Sequence, residues 1–148
     1  MDYTGLAAEL LEKMQSLHKA KPHRLINEAL QGGAFVLHYI ALQGGDVLPG
    51  EISQEMGVSS ARVAAALNGL EDKGLITRRI DKNDRRKILV GFTKKGKAYA
   101  ERQHRAVTET AGKLLEMLGE EDATEYVRIT GRLAANIMTL EENEPCCN

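Results

Sequence analysis

The sequence predicts a mainly α-helical chain with one small β-hairpin, and three observations predict it. Apolar residues recur at three- and four-residue spacing along most of the chain, which is the period of a helix with one buried face. Two β-branched segments, 75–80 and 87–92, enclose a short polar stretch. Proline, glycine and serine stand where helices must start and stop, at Pro49, Gly57, Ser59 and Gly74. The 148 residues suffice for one core, or one core with dimerising extensions. A content of 43% hydrophobic and 28% charged residues excludes the disordered class, and two adjacent cysteines cannot make a disulfide scaffold. No apolar run approaches the roughly 20 residues that span a bilayer, so no membrane partner is expected. The start Met1-Asp2-Tyr3 lacks the basic-then-apolar pattern of a signal peptide, which predicts a cytoplasmic chain.

In residues 3–20, Leu6, Leu10, Leu11, Met14 and Leu17 draw one stripe along an amphipathic helix. Lys21-Pro22 interrupts it, since proline disfavours helix at the residue before it. Residues 23–30 can add a helical turn or two before Gly32-Gly33 break the pattern. Residues 34–43, AFVLHYIALQ, are apolar on nearly every side and read as a buried helix. Asp46-Val47-Leu48 is extended, and Pro49 suits the first position of a helix over 49–56 because its missing amide hydrogen would be unpaired there. Gly57 fits the left-handed residue after a helix end. Ser59 can then cap a new helix over 60–73, with Gly74 as its stop.

Two short helices joined by a tight glycine-containing turn make a helix-turn-helix. On the second of them Val63, Ala66, Leu67 and Leu70 lie at i, i+3, i+4 and i+7 and should face the core. The opposite face carries Ser60, Ala61, Arg62, Ala64, Ala65 and Asn68. Its low relief suits a groove, and arginine and asparagine can make the bidentate contacts that distinguish guanine and adenine edges. Small residues of this kind also allow close packing against a neighbouring helix, so the face alone leaves both readings open. The β-branched segments around Asp81–Arg86 then read as a hairpin whose tip carries Lys82, Arg85 and Arg86. A hairpin directly after a helix-turn-helix is a wing, able to lie along a phosphate backbone or enter the minor groove. Thr93 can cap a helix over 94–118, ended by Gly119. A last helix over 120–140 opens on Glu120, Glu121 and Asp122, where the helix dipole favours anions. The first helix and the last two each keep an apolar stripe beyond what a core of about 60 residues needs, which predicts a homodimer in which terminal helices of two chains bury one another.

Charge follows the same map. Between Arg62 and Lys97 there are eleven basic and four acidic residues, against nine basic and seventeen acidic elsewhere, so a net of −1 conceals a positive block in an acidic scaffold. Such a block can present one face to a polyanion, although a charge run is also how a plain solvated surface looks.

Residues 44–100 resemble the MarR (multiple-antibiotic-resistance regulator) family of winged-helix transcription factors. The matching stretches are Met56-Gly57-Val58-Ser59, Leu70-Glu71-Asp72-Lys73-Gly74-Leu75-Ile76, Asp81-Lys82-Asn83-Asp84-Arg85-Arg86-Lys87 and Phe92-Thr93-Lys94-Lys95-Gly96. The resemblance implies a dimer that binds pseudo-palindromic double-stranded promoter DNA, usually represses, and is often released by a small aromatic effector. It implies that Ser59, Ser60, Arg62 and Asn68 face the major groove and that Lys82, Asn83, Arg85 and Lys87 belong to the wing. Arg86 matches a family arginine that can be structural, paired with a neighbour such as Asp84. Ala61, Ala64, Ala65 and Gly69 stand where many relatives carry larger polar residues, which implies fewer base contacts and more reliance on DNA shape.

The division expected is 1–33 for an N-terminal dimerisation helix and linker, 34–93 for the winged helix-turn-helix, 94–141 for C-terminal dimerisation helices, and 142–148 for a flexible tail. His23, Arg24, His38 and Tyr39 are candidates to line an effector cleft. No metal site, cofactor motif or catalytic site is expected: the four histidines lack close metal-ligand spacing, and no phosphate-binding loop, nucleophile elbow or HExxH occurs. The function these features predict is a dimeric DNA-binding regulator, most simply a repressor released by a small effector. Two alternatives stand beside it: a winged-helix module that binds protein without specific DNA readout, and a redox-responsive regulator using Cys146 and Cys147.

Overall fold

The computed structural model describes residues 1–143, so Cys146 and Cys147 lie outside the described residues. Its elements are α1 (Tyr3–Lys19), α2 (Lys21–Ala29), α3 (Gly32–Gln43), α4 (Pro49–Met56), α5 (Ser60–Asp72), β1 (Ile76–Ile80), β2 (Ile88–Phe92), α6 (Lys94–Leu118) and α7 (Glu120–Asn143). Mainly helical structure with one antiparallel hairpin is thus the class that periodicity and punctuation predicted. Contacts divide the chain into two units, Met1–Glu109 and Thr110–Asn148.

Local chemistry explains the boundaries. The Asp2 carboxylate accepts from the Thr4 amide at 3.0 Å and caps α1. Pro22 does more than interrupt: it lies in the first turn of α2, where its missing donor costs nothing, so a nine-residue helix begins at Lys21 rather than at His23. Gly32, with φ of +53°, lets the chain turn, and the Gly32-Gly33 pair opens α3 as well as ending the preceding segment. Glu51 accepts from the Leu48 amide at 2.7 Å and holds the entry to α4, with Pro49 in its first turn.

The core of the first unit is built by Val36, Leu37 and Ile40 of α3, Ile52 of α4, Val63, Leu67 and Leu70 of α5, and Val47, Leu75, Ile76, Val90 and Ala100 around the hairpin. The all-round apolar character of 34–43 predicts a helix buried on every side; α3 buries one side only, and Leu42 is 69% exposed. The reason is that α2, α4, α5 and β2 pack against it and still leave Ala41, Leu42 and Gln43 exposed. In the hairpin Ile76 pairs with Phe92, Arg78 with Val90 and Ile80 with Ile88. The extended residue Val47 adds a bridge to Val90, donating at 2.9 Å and accepting at 2.8 Å. The wing is therefore stitched at its base to the segment that leads into α4.

The start of α6 closes on this base. The Thr93 hydroxyl donates to the Gly74 carbonyl at 2.7 Å and accepts from the Gly96 amide at 2.8 Å. A Cβ added at Gly96 would lie 1.7 Å from the Leu75 carbonyl oxygen, so only glycine permits this approach. Gly96→Ala is expected to force the two backbones apart and to destabilise the first unit by about 3 kcal/mol, the upper part of the usual overpacking range. Denaturant unfolding followed by circular dichroism checks this; a midpoint unchanged from wild type would show that the approach is not constrained.

Each unit ends with apolar surface uncovered. In the first, α1 has no buried residue, and Leu6, Leu10, Leu11, Met14 and Leu17 are all exposed. In the second, α7 exposes Tyr126, Val127, Ile129, Leu133, Ile137 and Met138, while Arg128 pairs with Glu125 on its surface. No helix among the described residues is long and apolar enough to cross a membrane.

Candidate nucleic-acid interface

The turn between α4 and α5 fixes how α5 is presented. Gly57 takes φ of +61°, the Ser53 hydroxyl donates to the Val58 carbonyl at 2.6 Å, and the Ser59 hydroxyl accepts from the Arg62 amide at 3.4 Å. With Val63, Leu67 and Leu70 facing the core, Ser59, Ser60, Ala61, Arg62, Ala64, Ala65, Asn68 and Gly69 are exposed. The four recognition candidates Ser59, Ser60, Arg62 and Asn68 therefore all stand on the solvent side of one helix.

The hairpin tip is shaped by its carboxylates. Asp81 accepts from the Asn83 amide at 2.9 Å, and Asp84 accepts from the Arg86 amide at 3.1 Å. The Lys87 amide donates to the Asp84 carbonyl and the Asp81 amide to the Lys87 carbonyl, both at 2.9 Å. Two acidic side chains are thus turned to the backbone, and Lys82, Asn83, Arg85, Arg86 and Lys87 are left exposed around them. The Arg86 guanidinium lies 3.6 Å from Asp84 and is 94% exposed, so the anticipated pairing forms at the open surface, where such pairs are weak.

Two arginines of β1 were not singled out from the sequence, and they organise the space between wing and helix. Successive strand residues point to opposite faces, and Arg78 and Arg79 accordingly reach different partners. Arg79 pairs with Asp46, whose carboxylate sits where a Cβ at Gly91 would have to go. Arg78 donates from Nε to Glu71 at 2.9 Å and from Nη2 to the Asn68 side-chain oxygen at 2.7 Å. The hydrogen bond from Arg78 holds the Glu71 carboxyl below its ordinary range. A carboxylate depressed in the folded state contributes stability that is complete above its ordinary range and is lost as pH falls through the lowered value. Glu71→Gln is expected to flatten the acid limb of the stability profile, read by denaturant melts between pH 7 and pH 3; an acid limb identical to wild type would assign the loss to other carboxylates.

Residues 34–87, which contain α4, α5, β1 and the wing tip, match the model of the MarR family. Across this segment, a little over a third of the chain, the sequence is similar to the MarR family. Solved structures extend the likeness of fold over nearly the whole chain. YusO from Bacillus subtilis is 25% identical, with a TM-score of 0.68 over 91% of this chain and 99% of that one. A cysteine-to-serine mutant of E. coli MarR complexed with operator DNA is 23% identical, with a TM-score of 0.68 over 90% of this chain and 99% of that one. The transcriptional regulator BldR from Sulfolobus solfataricus is 17% identical, with a TM-score of 0.65 over 92% and 99%.

Of the four effector-cleft candidates, His23 and Arg24 lie on α2, and His38 and Tyr39 on α3. His23 approaches Asn27 at 3.3 Å and the His18 ring at 6.5 Å, all within α1 and α2. Arg24 is exposed. The His38 ring stacks at 5.7 Å on His104 of α6. Tyr39 stacks on Phe35 at 6.4 Å, and partial burial, with Glu51 and Glu55 adding repulsion, raises its hydroxyl pKa. A groove of about 540 Å³ beside α5 is lined by Phe35, Met56, Val58, Arg62 and Ala66 among others, and by none of those four candidates. Among the described residues no group of three or more histidine, cysteine, aspartate or glutamate side chains is placed to hold a metal ion.

Proposed function

We propose that this protein is a homodimeric, sequence-specific, double-stranded-DNA-binding transcriptional regulator of the bacterial cytoplasm. The observation that carries the reading is the pairing of surfaces in the first unit: a low-relief exposed face on α5 beside a wing whose carboxylates are spent on its own backbone and whose cations point outward. The MarR-family match supports it, as does the fold shared with a MarR bound to operator DNA.

In this reading residues 34–93 bind DNA, while residues 1–33 and 94–141 supply the dimer. The exposed apolar stripes of α1 and α7 support that division, since a monomer rarely leaves such surface uncovered. The wing residues Lys82, Asn83, Arg85, Arg86 and Lys87 neutralise phosphates and set the register. Ser59, Ser60, Arg62 and Asn68 enter the major groove, and two copies related by a twofold axis read half-sites about 34 Å apart on a pseudo-palindromic operator. The protein acts as a repressor, and a small aromatic effector releases it by binding better to a dimer whose α5 helices are wrongly spaced.

Fluorescence anisotropy with the duplex upstream of the protein's own gene and with a random duplex, over a salt series, tests this. Wild type is expected to prefer the upstream duplex and to weaken steeply with salt, and Arg62→Ala to lose about tenfold of that preference. Equal, weak binding to both duplexes would favour the protein-interaction module instead.

A further inference from the structure

Asn68 entered the sequence reading as a reader of adenine, and bidentate readout of adenine requires both halves of its amide: the oxygen to accept from N6 and the nitrogen to donate to N7. In the structure one half is already engaged. The Arg78 Nη2 donates to Asn68 at 2.7 Å, and a guanidinium has only donors, so the amide atom facing it is the oxygen. The same guanidinium is braced by Glu71, one turn further along α5, through Nε at 2.9 Å and a second contact from Nη2. Glu71 and Asn68 lie three residues apart, on one face of the helix, and β1 supplies the fork that spans them.

We infer that Arg78 is a specificity-setting positioning residue, which occupies one of the two lone pairs of the Asn68 oxygen, holds that oxygen towards β1, and so presents Asn68 to DNA mainly through its NH2 donors. Resting on the DNA-binding reading above, this changes what the position can recognise. An amide held with its NH2 outward can donate to any base edge with an acceptor in reach, the N7 and O6 of guanine, the N7 of adenine or the O4 of thymine, and its preference for adenine is weakened because the oxygen is held away from N6. Arg78 therefore touches no base in order to act; it acts through Asn68, and Glu71 acts through Arg78. Ala64 and Ala65, on the same helix, bring no further side-chain acceptor.

Selection of bound duplexes from a randomised pool, using the full chain, tests the inference. Wild type is expected to return a motif with little adenine preference at the position facing Asn68. Arg78→Met frees the oxygen and is expected to enrich adenine there about tenfold, once in each half-site. The double variant Arg78→Met/Asn68→Ala is expected to lose that enrichment, which shows that the effect runs through Asn68. Asn68→Asp keeps an acceptor for Arg78 but removes both donors, and is expected to lose about tenfold in affinity for the selected sequence; it tests the same assignment without disturbing the clamp. Uniform weakening by Arg78→Met with unchanged base preferences would make the clamp purely structural and overturn the inference, as would an Asn68→Asp variant that binds like wild type. A wild-type pool that returns no motif would overturn the DNA-binding reading itself, and this inference with it.

Discussion

A variant with Lys82, Arg85 and Lys87 all replaced by alanine is expected to bind every duplex about a thousandfold more weakly at moderate salt, and to do so without changing which duplex it prefers. All three side chains are exposed and none is engaged by the carboxylates of the tip, which hold backbone amides instead. Their charge is thus available to phosphates. A dimer would lose six such contacts, and since each phosphate contact contributes close to one unit to the salt dependence, the slope of log affinity against log salt should become shallower by about five. Anisotropy titrations at four or five salt concentrations measure both quantities. A slope equal to wild type would remove the wing from the interface. A change of base preference would show that the tip reads sequence as well as charge.

The second large effect concerns assembly. Leu10→Glu on α1 and Leu133→Glu on α7, made separately, are each expected to turn the proposed dimer into monomers at micromolar concentration. In a symmetric dimer every substitution appears twice, and an unpaired carboxylate buried at an interface costs several kcal/mol. Leu10 is 59% exposed and Leu133 58% exposed in the isolated chain, so neither change costs the protomer its own core. Sedimentation should therefore report half the mass while circular dichroism reports unchanged helix. Affinity for a two-half-site operator should fall more than a hundredfold, because one half-site must then hold alone. A dimer that survives both substitutions would place the interface elsewhere on the molecule.

The parts of this structure that could be read from the chain are those set by local chemistry. Gly57, Ser59 and Gly74 punctuate α4 and α5 because a left-handed turn, a free amide and a helix end each demand a particular residue within a few positions. The wing followed from alternation and a polar tip, and Thr93 announced α6 in the same way. Pro22 was harder, because proline both ends one helix and opens another, and nothing local ranks the two. The exposed side of α3 was hidden for a different reason: an apolar helix looks alike whether its neighbours cover one face or all of them. The Asp46–Arg79 pair spans 33 residues and the Arg78 fork joins a strand to a helix, so both exist only once β1 has been folded against the rest. The effector candidates were chosen by residue type, and the ring stacks of His38 on His104 and of Tyr39 on Phe35 join residues too far apart or too ordinary in sequence to have been paired beforehand.

The bridge between Val47 and Val90 makes the hairpin a divided object. Below it, Val90 and Ile76 are sealed into the core, and the pairing of Ile76 with Phe92 cannot slip without exposing them. Above it, Ile80 and Ile88 are exposed and the tip contributes nothing to that core. The seven residues from Asp81 to Lys87 are in that sense a replaceable cartridge on a fixed socket: length and charge there can be exchanged for those of another wing while α5 stays where it is, which under the proposed function would retune the grip on DNA and leave sequence reading alone.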